Sequence, residues 1–158
     1  MSEALSEAGS QRTTVEVEKS QATLESLCAV EHSECLMCGP ANPLGLKLRF
    51  RVQPDGSVLA TFACREAFRS YSGTLHGGVI SALLDAAMTN ALFSLGAVGV
   101  TAELTVRFLA TVALNRDAVV RAFIEKDAYP LFYVRAELQQ DRKLMARATA
   151  KFLAKGRK

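Results

Sequence analysis

The 158-residue sequence predicts a single α+β domain, and three observations carry the prediction. Residues 76–96, HGGVISALLDAAMTNALFSLG, are apolar on every side and hold one formal charge, Asp85. A helix without a polar face must be buried or span a membrane. Strand-like alternation flanks it, with two segments before and four after, so consecutive antiparallel strands are expected around one central helix. The length suits one domain, and a hydrophobic share of 49% is ample for a core.

Residues 1–20 are polar and without periodicity, and are expected to form a flexible N-terminal tail. They contain no apolar stretch of the signal-peptide kind and are too acidic for a transit peptide, so the expected compartment is the cytoplasm. The domain is expected over residues 21–158, opening with a short helix at 21–30, where Ala22, Leu24, Leu27, Cys28 and Val30 are the apolar positions. Residues 35–46, CLMCGPANPLGL, read as a compact Gly- and Pro-rich loop. Beyond it Leu46, Leu48 and Phe50 alternate with Lys47, Arg49 and Arg51, the pattern of a half-buried strand. Pro54-Asp55-Gly56 makes a turn, and a second strand returns over residues 57–63.

A membrane span at residues 76–96 is disfavoured. Asp85 at its middle would cost about 2.5–3.5 kcal/mol on insertion, and Ser81, Thr89, Asn90 and Ser94 weaken it further. In residues 100–112, Ala102, Leu104, Val106 and Phe108 are expected on one face and Glu103, Thr105 and Arg107 on the other. Further strands are expected at 116–127, 130–140 and 143–154. The last two form a hairpin closed by Gln140-Asp141-Arg142-Lys143. The sheet therefore has five to six strands, and its edges invite pairing with a second copy.

Charge excludes some functions. Net charge is +3, and residues 1–34 hold seven acids against Arg12 and Lys19, a poor match to DNA. There is no Trp and little aromatic surface for base stacking. Cys28, His32, Cys35 and Cys38 resemble a zinc ligand list, but the usual distant second pair is missing, so reduced thiols are expected and no metal.

Chemistry concentrates in Gly73-Thr74-Leu75-His76-Gly77-Gly78 and in Asp85. The first N–H groups of a helix have no partner within it and can hold a developing oxyanion, so Gly77, with Gly78 beside it, is a candidate donor. A tight loop-to-helix junction explains the same glycines without any ligand. Asp85 must be hydrogen-bonded, paired or neutralised. Ser81 and Thr89, four residues to either side, are its candidate structural partners; otherwise it is a general base or a nucleophile. His76 and Asp85 are nine residues apart, about 13 Å along a helix. One chain cannot bring both to one carbonyl, whereas two antiparallel helices in a two-fold dimer can.

These residues, the strand VTAELTVRFL after them and Cys35-x-x-Cys38-Gly39-x-x-Asn42-Pro43-x-Gly45-Leu46 before them resemble the hotdog-fold thioesterases, in the phenylacetate-degradation and 4-hydroxybenzoyl-CoA thioesterase-like branch. The resemblance covers roughly residues 32–154. It implies a long helix wrapped by an antiparallel sheet, hydrolysis of an acyl-coenzyme A thioester without cofactor, and a homodimer or homotetramer. It also implies that Gly77 supplies the oxyanion amide, Asp85 the base or nucleophile and Thr101 a positioning hydroxyl. His76 matches the motif histidine, with capping or proton transfer both open. The chain departs from the pattern at Arg69-Ser70, where Asn or Gln is common, leaving Ser70 as the substitute. Arg107 and the basic residues of 135–158 are candidates for coenzyme A phosphates, although an ordinary solvated strand face explains most of them. Two alternatives remain, a non-catalytic acyl-coenzyme A-binding protein and a 3-hydroxyacyl thioester dehydratase.

Overall fold

The computed structural model describes residues 11–157. Helix α1 spans Thr14–Glu31, strands β1 Arg51–Val52 and β2 Val58–Ala63 follow, and helix α2 occupies Gly77–Ser94. Four strands complete the chain: β3 Ala97–Phe108, β4 Asp117–Ala128, β5 Leu131–Gln140 and β6 Lys143–Arg157. All pair antiparallel in one six-stranded sheet of order β1-β2-β4-β5-β6-β3. The expected α+β class and the central helix are therefore observed. Helix α2 lies against the sheet with twelve of its eighteen residues buried, which accounts for its all-round apolar composition without a membrane.

Three expectations change. Helix α1 begins at Thr14, so residues 14–20 are helical rather than part of a flexible tail; residues 1–10 lie outside the described residues. A capping box sets this start: the Thr13 hydroxyl accepts from the Glu16 N–H, and the Glu16 carboxylate accepts from the Thr13 N–H at 2.7 Å. The Thr13 N–H, and then the Thr13 hydroxyl, which also donates to this carboxylate at 2.9 Å, hold the Glu16 carboxyl below its ordinary range.

Second, residues 46–50 alternate as expected, with Leu48 and Phe50 buried and Lys47 and Arg49 exposed, but they pair with no strand. Their backbone partners are local. The Leu46 and Leu48 N–H groups bond the Leu36 and Met37 carbonyls, and the Gln21 side chain bridges the Phe50 carbonyl and the Val52 N–H. Strand β1 is left with two residues.

Third, β3 ends the sheet order, and the apolar face expected to be buried there is open in the single chain. Ala102, Leu104 and Phe108 are exposed, and Val106 is half-buried. Alternation identified an apolar face but not the body that covers it. The β5–β6 hairpin forms as expected. Asp141 and Arg142 adopt φ of 52° and 65°, the backbone of a two-residue turn whose twist matches the strands.

Candidate functional site

The N-terminus of α2 is built by His76. Its backbone is extended, with φ −65° and ψ 130°, and its Nδ1 accepts the Gly78 N–H at 2.8 Å. This is an N-cap, which satisfies one of the orphan donors of the first turn. The Gly78 amide is thereby committed and is not the free donor that its sequence position allowed. The Gly77 N–H, in contrast, has no acceptor among the described residues. The ring of Phe108 lies over Gly77, 3.6 Å from where a β-carbon would stand.

Asp85 sits two turns further along α2 and is half-buried. Ser81 and Thr89 do not partner its carboxylate. Each hydroxyl bonds back to the carbonyl one turn earlier, Ser81 to Gly77 and Thr89 to Asp85 itself. The carboxylate partner is Thr101, whose Oγ1 donates to Asp85 Oδ1 at 2.7 Å. A β-bulge makes this contact. Between Thr101 and Glu103 the register of β3 on β6 slips: Thr101 opposes Phe152, and Glu103 opposes Lys151. Strict alternation would put Thr101 on the face of Glu103. The extra residue, Ala102, turns Thr101 toward α2 while Leu104, Val106 and Phe108 share that side. A bulge leaves no reliable mark in a single sequence, so only the resemblance pointed to Thr101.

An apolar cleft of about 400 Å³ opens beside the His76 cap. Gly78, Val79 and Ala82 of α2 form one wall with His76, and Leu36, Met37, Leu44, Leu46 and Phe68 form the other. The loop of residues 35–46 is thus a wall of the site, a role its Gly/Pro composition did not reveal. Lys47, at φ 55°, clamps this loop by donating to the carbonyls of Gly39, Pro40 and Asn42.

The remaining candidates lie apart. Ser70 is exposed in the loop before α2, its N–H bonded to the Thr74 carbonyl, and does not line the cleft. Arg107 is exposed and faces Arg147 across β3–β6, on the side of the sheet that carries the Glu103–Lys151 ion pair, away from α2. Neither meets Asp85 within one chain.

A second cluster lies between α1, the 35–46 loop and α2. Cys28, Cys35 and Cys38 are free thiols. A hydrogen bond between the Cys28 and Cys38 thiols holds Cys28 down to about 7 and pushes Cys38 up to about 12, with burial adding to the rise. His32 Nδ1 is 3.7 Å from the Cys38 sulfur, and the His32 ring stands edge-on to Phe93 at 4.9 Å.

Residues 72–146, which contain the α2 cap, Asp85 and Thr101, match the thioesterase superfamily. The chain is also 30% identical over 104 residues to acyl-coenzyme A thioesterase 13 of Homo sapiens, a match covering 65% of this chain and 70% of the relative. The chain belongs to the thioesterase superfamily. Solved structures that share its fold include the following two. The E. coli PaaI protein from the phenylacetic acid degradation operon superposes with a TM-score of 0.74 at 16% identity, covering 89% of this chain and 96% of that one. A hypothetical thioesterase of Streptococcus pneumoniae, solved with coenzyme A, gives 0.66 at 19% identity, covering 70% and 90%. Membership in this superfamily accords with the hotdog arrangement of one long helix within an antiparallel sheet.

Proposed function

We propose that this thioesterase-superfamily protein hydrolyses an acyl-coenzyme A thioester to a free carboxylic acid and coenzyme A, with a site completed across a two-fold dimer. The observation that carries the reading is the Thr101–Asp85 hydrogen bond at the sheet edge, together with an uncommitted Gly77 amide at the end of the same helix. The thioesterase name of the human relative and the coenzyme A bound to the streptococcal neighbour support the substrate class.

The chemistry follows from the groups. The Gly77 N–H, at the positive end of α2, donates to the thioester oxygen as negative charge collects there. Asp85 either draws a proton from the attacking water or itself attacks the carbonyl carbon. In the first route water adds to the carbonyl, the C–S bond breaks and coenzyme A leaves as thiolate; in the second the C–S bond breaks as the Asp85 acyl anhydride forms, and water then hydrolyses that anhydride to the free acid and restores the carboxylate. Thr101 holds one carboxylate oxygen, leaving the other to act. The apolar cleft beside His76 suits the acyl chain, with Gly78 as part of its wall.

Gly77 and Asp85 are eight residues apart, about 12 Å of helical rise. A second copy packed antiparallel along β3 would bring Asp85 of the partner subunit to Gly77. The exposed apolar row of Leu104, Phe108 and Leu109, at 36%, 55% and 50% exposure, is the surface such a partner would cover.

The dehydratase alternative draws no support from the two histidines, since His76 Nδ1 is engaged in the cap and His32 lies in the thiol cluster. A panel of aliphatic and aryl acyl-coenzyme A substrates, followed by free-thiol release, tests the reading. Wild-type turnover that Asp85→Asn reduces by about 100-fold or more, with folding intact, supports it. Binding without turnover favours the non-catalytic alternative, and full activity in Asp85→Asn moves the chemistry elsewhere.

A further inference from the structure

We infer that Cys28, His32, Cys35 and Cys38 form a structural zinc site that ties α1 and the 35–46 loop to the core helix. The donor atoms of His32, Cys35 and Cys38 lie within 4.8 Å of one another. A tetrahedral zinc with bonds of about 2.3 Å to sulfur and about 2.0–2.1 Å to nitrogen requires S···N edges of about 3.5 Å and S···S edges of about 3.8 Å. The His32 Nδ1 to Cys38 Sγ distance is 3.7 Å, so this edge is already near its bound length. Cys28 supplies the fourth donor. It stands one helical turn before His32, and its thiol bonds the Cys38 carbonyl at 3.7 Å.

The surroundings are those of a thiolate site. The Met37 N–H points at the Cys35 sulfur at 3.4 Å, and the Asn90 amide donates to the Cys38 sulfur at 3.8 Å. Such outer donors orient metal-bound thiolates. Asn90 is 1% exposed; the same amide also donates to the Ala86 carbonyl at 2.9 Å, and its Oδ1 is buried without a partner. Gly39 follows Cys38 in a turn so tight that a β-carbon would stand 2.3 Å from the Cys35 nitrogen; the knuckle admits only glycine. Three thiolates and one neutral imidazole around a divalent ion leave one negative charge. Arg49 bonds the Cys38 carbonyl at 3.1 Å and is placed to offset it. A cavity of about 260 Å³ lined by Cys28, Arg49 and Asn90 opens at the Cys28 side of the cluster.

Structural zinc sites commonly draw a second ligand pair from a distant segment. The fold removes the need for one, because His32, the C-cap of α1, meets the looped Cys35 and Cys38, and Cys28 stands one turn earlier on α1. The ion's role is to fix the loop that forms one wall of the apolar cleft.

The test uses full-length protein expressed with zinc in the medium and purified under reducing conditions without chelator. Elemental analysis should return about one zinc per chain after desalting. Exchange with Co²⁺ should give a sulfur-to-cobalt charge-transfer band and the intense visible bands of tetrahedral cobalt. His32→Ala and Cys35→Ser should each lose most of the metal, and Asp85→Asn should keep all of it, which separates this inference from the proposed hydrolysis. Zinc lost on desalting, a cobalt spectrum without the charge-transfer band, or an intact mass showing a disulfide would overturn the site. Where a cysteine variant does not fold, the wild-type cobalt spectrum decides.

Discussion

The Thr101 hydroxyl reaches Asp85 Oδ1 at 2.7 Å and joins the edge strand to the core helix across sixteen residues of sequence. A hydrogen bond to a charged group contributes about 1.5–3 kcal/mol. Thr101→Val keeps the shape and removes the donor. It should lower kcat by about 10- to 100-fold, with a much smaller change in KM, because the bond orients the reacting carboxylate. Steady-state kinetics on the best substrate of the panel checks this, and an unchanged kcat would remove Thr101 from the mechanism.

Gly77 stands at the first helical position, where proline is tolerated because its missing N–H has no helical partner. The extended backbone of His76 is the conformation a following proline demands. Gly77→Pro should therefore fold, with a circular dichroism spectrum like the wild type, yet lose about 100- to 1000-fold in kcat as the oxyanion donor disappears. Retained turnover would place the oxyanion elsewhere.

His76 is a cap in this structure, and its side chain can be replaced in that role. His76→Ala should cost about 0.5–2 kcal/mol, a drop in Tm of a few degrees, whereas His76→Asn should restore most of the stability. If capping is its whole contribution, activity follows stability in both variants. A proton-transfer role predicts that Asn restores Tm without restoring kcat.

Leu104 and Phe108 present an apolar surface on the face of β3 that also carries Thr101. Leu104→Asp and Phe108→Asp should leave the chain folded, since neither side chain is buried within it. In sedimentation velocity both variants should run as monomers, with hydrolysis lost in parallel. A monomeric variant with wild-type turnover would show that one chain holds the whole site.

Much of this was legible in the residues themselves. An all-apolar segment of this length reads as a helix rather than a strand, the Asp at its middle turns the choice from a membrane to a core, and alternating segments around it specify an antiparallel sheet. The Gly77-Gly78 junction, Asp85 and the roughly 12 Å that divides Gly77 from Asp85 also follow from composition and helical rise. The T-x-x-E pattern at Thr13–Glu16 also marks the start of α1 in the residues themselves. What only the tertiary structure decided depends on contacts between distant segments. The Ala102 bulge chose which face Thr101 joins, and the His76 ring withdrew the Gly78 amide from use. The edge position of β3 left an apolar face open, and the 35–46 loop became a cleft wall and brought Cys35 and Cys38 to His32. Local periodicity reports how a segment is patterned. It carries no information about a one-residue slip against a neighbour, or about which side chain from elsewhere arrives to take a donor.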